Sequence, residues 1–165
     1  MSEKIIKYGD FISTDDIIPA KYRYLALDIP KLSEHAFEDK DSEFLQKVAT
    51  RHIIVGGENF GCGSSREYAP VVLKQNGIVC VLAKSFGRIF YRNGINIGLT
   101  LLECNTDNID DCDSISIDIA NHKVINHTQK SEIPTNILPE IMQEIVSCGG
   151  LINYLDTVGG FTKSV

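Results

Sequence analysis

The chain is expected to fold as an α/β protein, with a mixed, mostly parallel sheet and flanking helices. Three observations lead there. Strand-like and helix-like segments alternate over residues 52–103; that order needs helical crossovers, which join parallel strands. Ile78 to Ala83 is an unbroken apolar run, the pattern of a strand covered on both faces. Ser114 to Ala120 and Lys123 to His127 alternate in polarity around Asn121-His122, which reads as an antiparallel hairpin.

Taken in order, Ile5 to Tyr8 reads as a short strand closed by Gly9-Asp10, and Ser13 to Pro19 is turn-rich. Leu32 to Phe37 and Phe44 to Ala49 read as short helices, the second with Ser42 as its cap and Glu43 in its first turn. His52 to Val55 is an apolar strand ending at Gly56-Gly57. The loop Glu58 to Gly63 leads into a helix over Ser65 to Gln75. Pro70 is expected to distort its first turns, and Asn76-Gly77 to stop it. Ser85 to Asn93 reads as a second helix, Leu99 to Glu103 as a further strand, and Ile137 to Cys148 as an amphipathic helix ending at Gly149-Gly150. Residues 159–165 are expected to fray. No repeat, low-complexity segment or boundary interrupts the pattern, so 1–165 is taken as a single domain.

The 165 residues suffice for one core, and 43% hydrophobic with 23% charged residues is ordinary for a soluble protein. The net charge of −6 argues against nucleic acid, whose phosphates need clustered Lys and Arg. An anionic ligand must therefore meet a local concentration of positive charge. No apolar signal core follows Met1 and no run is long enough to span a bilayer, so no membrane partner is expected and the cytoplasm is the expected location. The five cysteines, Cys62, Cys80, Cys104, Cys112 and Cys148, include no Cys-x-x-Cys pair. Free thiols fit better than a disulfide framework, and a metal site built wholly from this chain is not expected.

Gly61-Cys62-Gly63-Ser64-Ser65-Arg66-Glu67 carries the chemistry. Glycines let backbone N–H groups converge on one point, and a helix beginning just after them would add unpaired donors. Arg66 offers a planar fork suited to a carboxylate. A serine hydroxyl ringed by donors in a dry pocket can remove a proton from carbon. The residues alone leave two readings open: a carboxylate or phosphate receptor with a reactive hydroxyl, or Ser64 as a helix cap and Arg66 as a surface charge. A nucleotide phosphate loop fits less well, since no Gly-Lys-Ser/Thr or Gly-x-Gly-x-x-Gly is present.

That segment resembles the Gly-x-Gly-Ser-Ser-Arg-Glu signature of the aconitase superfamily. Three further pieces match in order: Lys7-Tyr8-Gly9-Asp10 through Thr14-Asp15-Asp16-Ile17-Ile18-Pro19, then Val55 to Phe60, then Ala83 to Asn93. Together they span roughly residues 5–104 and are similar to the small subunits of the 3-isopropylmalate dehydratase type; homoaconitase and 2,3-dimethylmalate dehydratase small subunits are the near alternatives. The resemblance implies an aconitase-type swivel domain of β/β/α build. It implies a hydro-lyase of leucine biosynthesis, active only with a large subunit that carries a [4Fe–4S] cluster. This chain would bind no cofactor, and the substrate would be a small hydroxy-dicarboxylate. By the same resemblance Ser64 is the base, Ser65 and Arg66 hold a substrate carboxylate, and Asp15 is a further catalytic-site residue. A free-standing dicarboxylate-binding module is the non-enzyme alternative.

Ala20 to Asp28 is the segment that faces the variable side of the substrate in relatives. Tyr24-Leu25-Ala26-Leu27 is apolar and suits an isopropyl group, whereas Arg23, pointing inward, would suit an extra carboxylate. Arg23, Tyr24 and Leu25 are thus the substrate-contact candidates here. Cys62 is taken as a small filler and His35, His52, His122 and His127 as structural. Asp16 is expected to cap a turn or meet a cation. Arg88 and Arg92 share a helix face and are expected to anchor it to nearby acids, a carboxylate site being the alternative.

Overall fold

The computed structural model describes residues 2–159; the fraying expected at the C-terminus falls, from residue 160 on, outside them. Seven strands are present among these residues: β1 (Glu3–Lys7), β2 (Ile53–Val55), β3 (Cys80–Ala83), β4 (Thr100–Glu103), β5 (Ser114–Asp118), β6 (Lys123–Asn126) and β7 (Ser131–Pro134). They form one mixed sheet in the order β4-β3-β2-β1-β5-β6-β7. β1 to β4 pair in parallel, and β1, β5, β6 and β7 pair antiparallel. The parallel and antiparallel pairings are equal in number, where the sequence leads to a mostly parallel sheet; the short β7 makes the difference.

Strand alternation splits the apolar residues into two cores. Ile5, Ile53, Val55, Cys80, Leu82, Leu102, Ile115, Val124 and Ile133 face one side and pack on each other. Ile6, Ile54, Val81, Ala83 and Leu101 face the other and pack under helices. That helical layer is α2 (Ile29–Ser33), α4 (Tyr68–Gln75), α5 (Arg88–Asn96) and α6 (Glu140–Ser147), with the short α1 (Thr14–Ile17), α3 (Phe44–Lys47) and α7 (Leu151–Thr157) at its margins. Beyond β7 the chain returns to β4: Cys104 bridges Thr135, and the Asn136 N–H donates to the Glu103 carbonyl at 2.8 Å. The two ends of the sheet are thereby drawn together around the inner core, which leaves little open strand edge.

Several elements begin later than the sequence pattern suggests. α4 starts at Tyr68 rather than Ser65. Pro70 then sits in the first turn, where its missing N–H has no partner to lose. α5 starts at Arg88 because residues 85–87 are used in strand-like pairing with the Phe60 loop. Ser42 does not cap α3; Glu43 holds that position without a side-chain bond, and the Asp41 carboxylate accepts from the Glu43 N–H. α1 was hidden in the turn-rich stretch. Ser13 and Asp16 close a capping box around its start, with 3.0 Å and 2.8 Å hydrogen bonds. Asp16 therefore caps, and Lys40 stands 3.8 Å away as its cation.

Candidate active site

The C-terminal ends of β1, β2 and β3 carry three loops that continue the sheet's pairing beyond the strands. Phe11 and Gly61 N–H groups each donate at 2.7 Å, to Glu58 and Ile12 carbonyls, and the Thr14 N–H donates to Cys62 at 2.8 Å. On the other side the Phe60 N–H donates to Ser85 at 2.9 Å and the Gly87 N–H to Phe60 at 2.8 Å. The signature loop is thus laced between the loop of residues 11–14 and the loop of residues 85–87. Gly61 adopts φ 76°, and a Cβ there would overlap the Phe90 ring. Gly63, at φ 101°, lies close over Thr14.

This lacing fixes four side chains in one corner. Ser64 is exposed, and its Oγ stands 3.4 Å from Oγ1 of the buried Thr14. The Thr14 hydroxyl also donates to the Ser64 carbonyl at 3.3 Å. The Arg66 N–H donates to the same carbonyl at 2.8 Å, forming a tight turn. Arg66 Nη1 pairs with the Asp15 carboxylate and donates to the Ile18 carbonyl at 3.1 Å. Its Nη2 and Nε make no hydrogen bond among the described residues, and the side chain is 17% exposed. Ser65 is exposed, and its side chain makes no hydrogen bond among these residues. An open cleft of about 360 Å³ runs past this corner, lined by Asn59, Gly61, Cys62, Gly63, Ser64, Gly87, Arg88 and Ile89.

The structure therefore brings Asp15, Ser64, Ser65 and Arg66 to one place. It removes the helix-cap reading of Ser64, since α4 begins four residues later with Glu67 at its N-cap. It also corrects the expectation that a helix N-terminus directly follows the glycines. Thr14 was not singled out, although it sits beside Asp15 in the quoted Thr-Asp piece. Arg88 and Arg92 anchor no acid: of the chain's arginines, only Arg51 and Arg66 form ion pairs among the described residues.

The segment from Ala20 to Leu25 is a 3₁₀ turn. Arg23 and Tyr24 are exposed, while Leu25 is half-buried against the helical core. Ala26 and Leu27 share a cleft of about 420 Å³ with Glu67, Tyr68 and Ile97, so this segment meets the end of the signature. Its base is tied down. Tyr22 stacks on His35 with ring centroids 3.6 Å apart, and its hydroxyl donates to Glu38 at 2.8 Å. Lys21 pairs with Glu38 and Asp39. Hydrogen bonds from His35, then Tyr22, hold the Glu38 carboxyl down to about 2. A depressed carboxyl adds stability above its unfolded value and loses it as pH falls through the folded one. The stabilisation from Glu38 is therefore expected to disappear as pH drops from the ordinary carboxylate range toward about 2. Comparing the acid unfolding profile of Glu38→Gln with that of the parent checks this; the variant should be flatter over that window, and superimposable profiles would dismiss it.

The Cys62 thiol donates to the Phe11 carbonyl at 3.5 Å. Cys80 and Cys104 lie in the inner core, where burial pushes both thiols up, Cys104 to about 11. All five cysteines are free. His35, His52 and His127 bond to Glu38, Glu3 and Ser116, and His122 sits in the hairpin turn. Among the described residues no group of three or more His, Cys, Asp or Glu is placed to hold a metal ion, and no helix is long and apolar enough to cross a membrane.

Residues 20–107 match the aconitase C-terminal domain family. The small subunit of 3-isopropylmalate dehydratase from Caldanaerobacter subterraneus is 52% identical over 158 residues, covering 94% of this chain and 97% of that one. The chain belongs to the 3-isopropylmalate dehydratase small-subunit family. Small subunit 2 from Archaeoglobus fulgidus, 46% identical, covers 93% of both chains. The crystal structure of 3-isopropylmalate dehydratase from Methanocaldococcus jannaschii superposes with a TM-score of 0.89 at 40% identity, over 96% of this chain and 94% of that one. Membership in this small-subunit family accounts for the mixed sheet with its helical layer. It also implies a large-subunit partner, which suits a corner where Ser64 stands exposed.

Proposed function

We propose that this chain, acting as one unit with a large subunit in the cytoplasm, interconverts 2-isopropylmalate and 3-isopropylmalate by dehydration and rehydration. One observation carries the reading: the exposed Ser64 hydroxyl and an Arg66 fork whose Nε and Nη2 make no hydrogen bond among the described residues share one corner. Arg66 takes a substrate carboxylate in two parallel hydrogen bonds through Nε and Nη2. Asp15 and the Ile18 carbonyl hold Nη1 and so aim that fork. Asp15, expected as a catalytic-site residue, acts in this arrangement through Arg66. Ser65 is placed to add a hydroxyl contact to the same carboxylate.

Ser64 removes the proton from the carbon next to a carboxylate. Ser64 acts as its alkoxide and becomes a hydroxyl on taking that proton; the Thr14 hydroxyl, 3.4 Å away, is positioned to donate to the alkoxide and hold its charge until the transfer. Docking the large subunit excludes water from this corner and strengthens both interactions. The [4Fe–4S] cluster expected on the large subunit supplies Lewis-acid activation of the substrate hydroxyl.

The exposed Tyr24 and Leu27 favour an isopropyl side chain; Arg23 beside them forms no ion pair among the described residues. The test is to mix the purified chain with its large subunit and follow isopropylmaleate absorbance. Turnover of isopropylmalate is expected. Turnover of homoaconitate or citrate alone would transfer the substrate assignment to an acid-bearing ligand read by Arg23. Tight dicarboxylate binding by the isolated chain, with no turnover by the pair, would instead favour a binding module.

A further inference from the structure

We propose that Arg88 binds the second carboxylate of the substrate. The proposal rests on the dehydratase reading above, in which the substrate carries two carboxylates and Arg66 takes one. Arg88 lines the same cleft as Ser64, with Gly61, Gly63 and Ile89 between and around them. It is exposed and takes part in no ion pair or side-chain hydrogen bond among the described residues. Its position is unfavourable for the helix that carries it. Arg88 is the first residue of α5, whose first turn contains no acid. A cation there faces the positive end of the helix dipole and weakens the helix slightly. Glu103 shares a shallow depression with Arg88, yet the two are not paired. In a chain of net charge −6, an unpaired guanidinium beside the reactive hydroxyl is the local positive charge that an anionic ligand requires. The apolar Ile89 next to it, half exposed, lowers the water content of the cleft once the partner docks.

The experiment uses the assembled two-subunit enzyme with Arg88→Gln, Arg88→Lys and, as a control on the same helix outside the cleft, Arg92→Gln. Arg88→Gln should raise KM for isopropylmalate about 10- to 100-fold with a smaller change in kcat, the loss expected for one charged hydrogen-bonding partner. Arg88→Lys should fall between, keeping the charge without the fork, and Arg92→Gln should match the parent. Calorimetry with malate and lactate supplies a readout independent of turnover. Arg88→Gln should weaken malate, which has two carboxylates, by a similar factor and leave lactate unchanged. Should the parent pair prove inactive on isopropylmalate, the dehydratase reading fails there, while the malate arm still decides Arg88. Unchanged KM and malate affinity would overturn the proposal. So would weakened subunit association with KM intact, which would place Arg88 against the large subunit.

Discussion

Replacing Ser64 with alanine should lower kcat of the assembled enzyme by about 10²- to 10⁴-fold, the usual worth of a positioned acid–base group. KM should change little, because the carboxylate contacts reside on Arg66 and its neighbours. Stability should hardly change either. Ser64 is exposed, its hydroxyl has Thr14 Oγ1 at 3.4 Å as its one hydrogen-bond partner among the described residues, and α4 takes its cap position at Glu67. This separates a reactive hydroxyl from a structural one: a lost helix cap would cost about 1 kcal/mol in unfolding and nothing specific in kcat. The check is steady-state kinetics beside sedimentation of the subunit pair. A variant that turns over at the parent rate would remove Ser64 from the mechanism.

Gly61→Ala should destabilise the chain by about 2–5 kcal/mol. Two effects add. A non-glycine residue in a left-handed conformation costs about 1–2 kcal/mol, and forcing extra atoms into a filled site costs about 1–3 kcal/mol. Both apply because Gly61 sits at φ 76° with its missing Cβ directed into the Phe90 ring. Phe90 cannot move aside cheaply, since it is buried and packed edge-on against Phe60 at 5.5 Å. Gly63→Ala offers the contrast. It keeps the positive φ, but its nearest neighbour is Thr14 Oγ1 at 3.3 Å. Only about 1–2 kcal/mol should be lost there. Urea unfolding measures both, with a shifted midpoint at unchanged slope. Equal losses at the two positions would show that Phe90 yields to the added methyl.

Most strands were readable because each is a short apolar run or a short alternating one, whose burial is local to its pattern. Helix starts were not. Residues 65–67 and 85–87 adjoin helical patterns, but other bonds claim their backbones: Arg66 N–H turns locally onto the Ser64 carbonyl, and Phe86 bridges Phe60. β7 escaped notice because Ser131–Pro134 is four residues long with proline at its end, a composition tolerated only at a sheet edge. α7 escaped because Gly149-Gly150 reads as a terminator, whereas Gly150 also starts the next helix at φ 137°. The site divides the same way. Signature chemistry pointed to Ser64 and Arg66 and the resemblance added Asp15; the fold brings the three together, since residue type and order already carried that grouping. Arg88 was misread as a structural anchor. Whether an arginine finds an acid depends on neighbours brought in by the fold, and its sequence neighbours carry no sign of that.

The lacing of the three loops has a consequence for exchange with solvent deuterium. The amides of Gly61, Thr14, Phe60 and Gly87 are each engaged by a backbone carbonyl at 2.7–2.9 Å, as strand amides are. They should therefore exchange with the strands β1 to β3 as one protected block. The 3₁₀ turn beside them, held by bonds three residues apart and largely open to water, should exchange with the fast class. On this expectation a corner so laced to the sheet opens only together with it. Whatever admits the substrate must act on this corner from outside it.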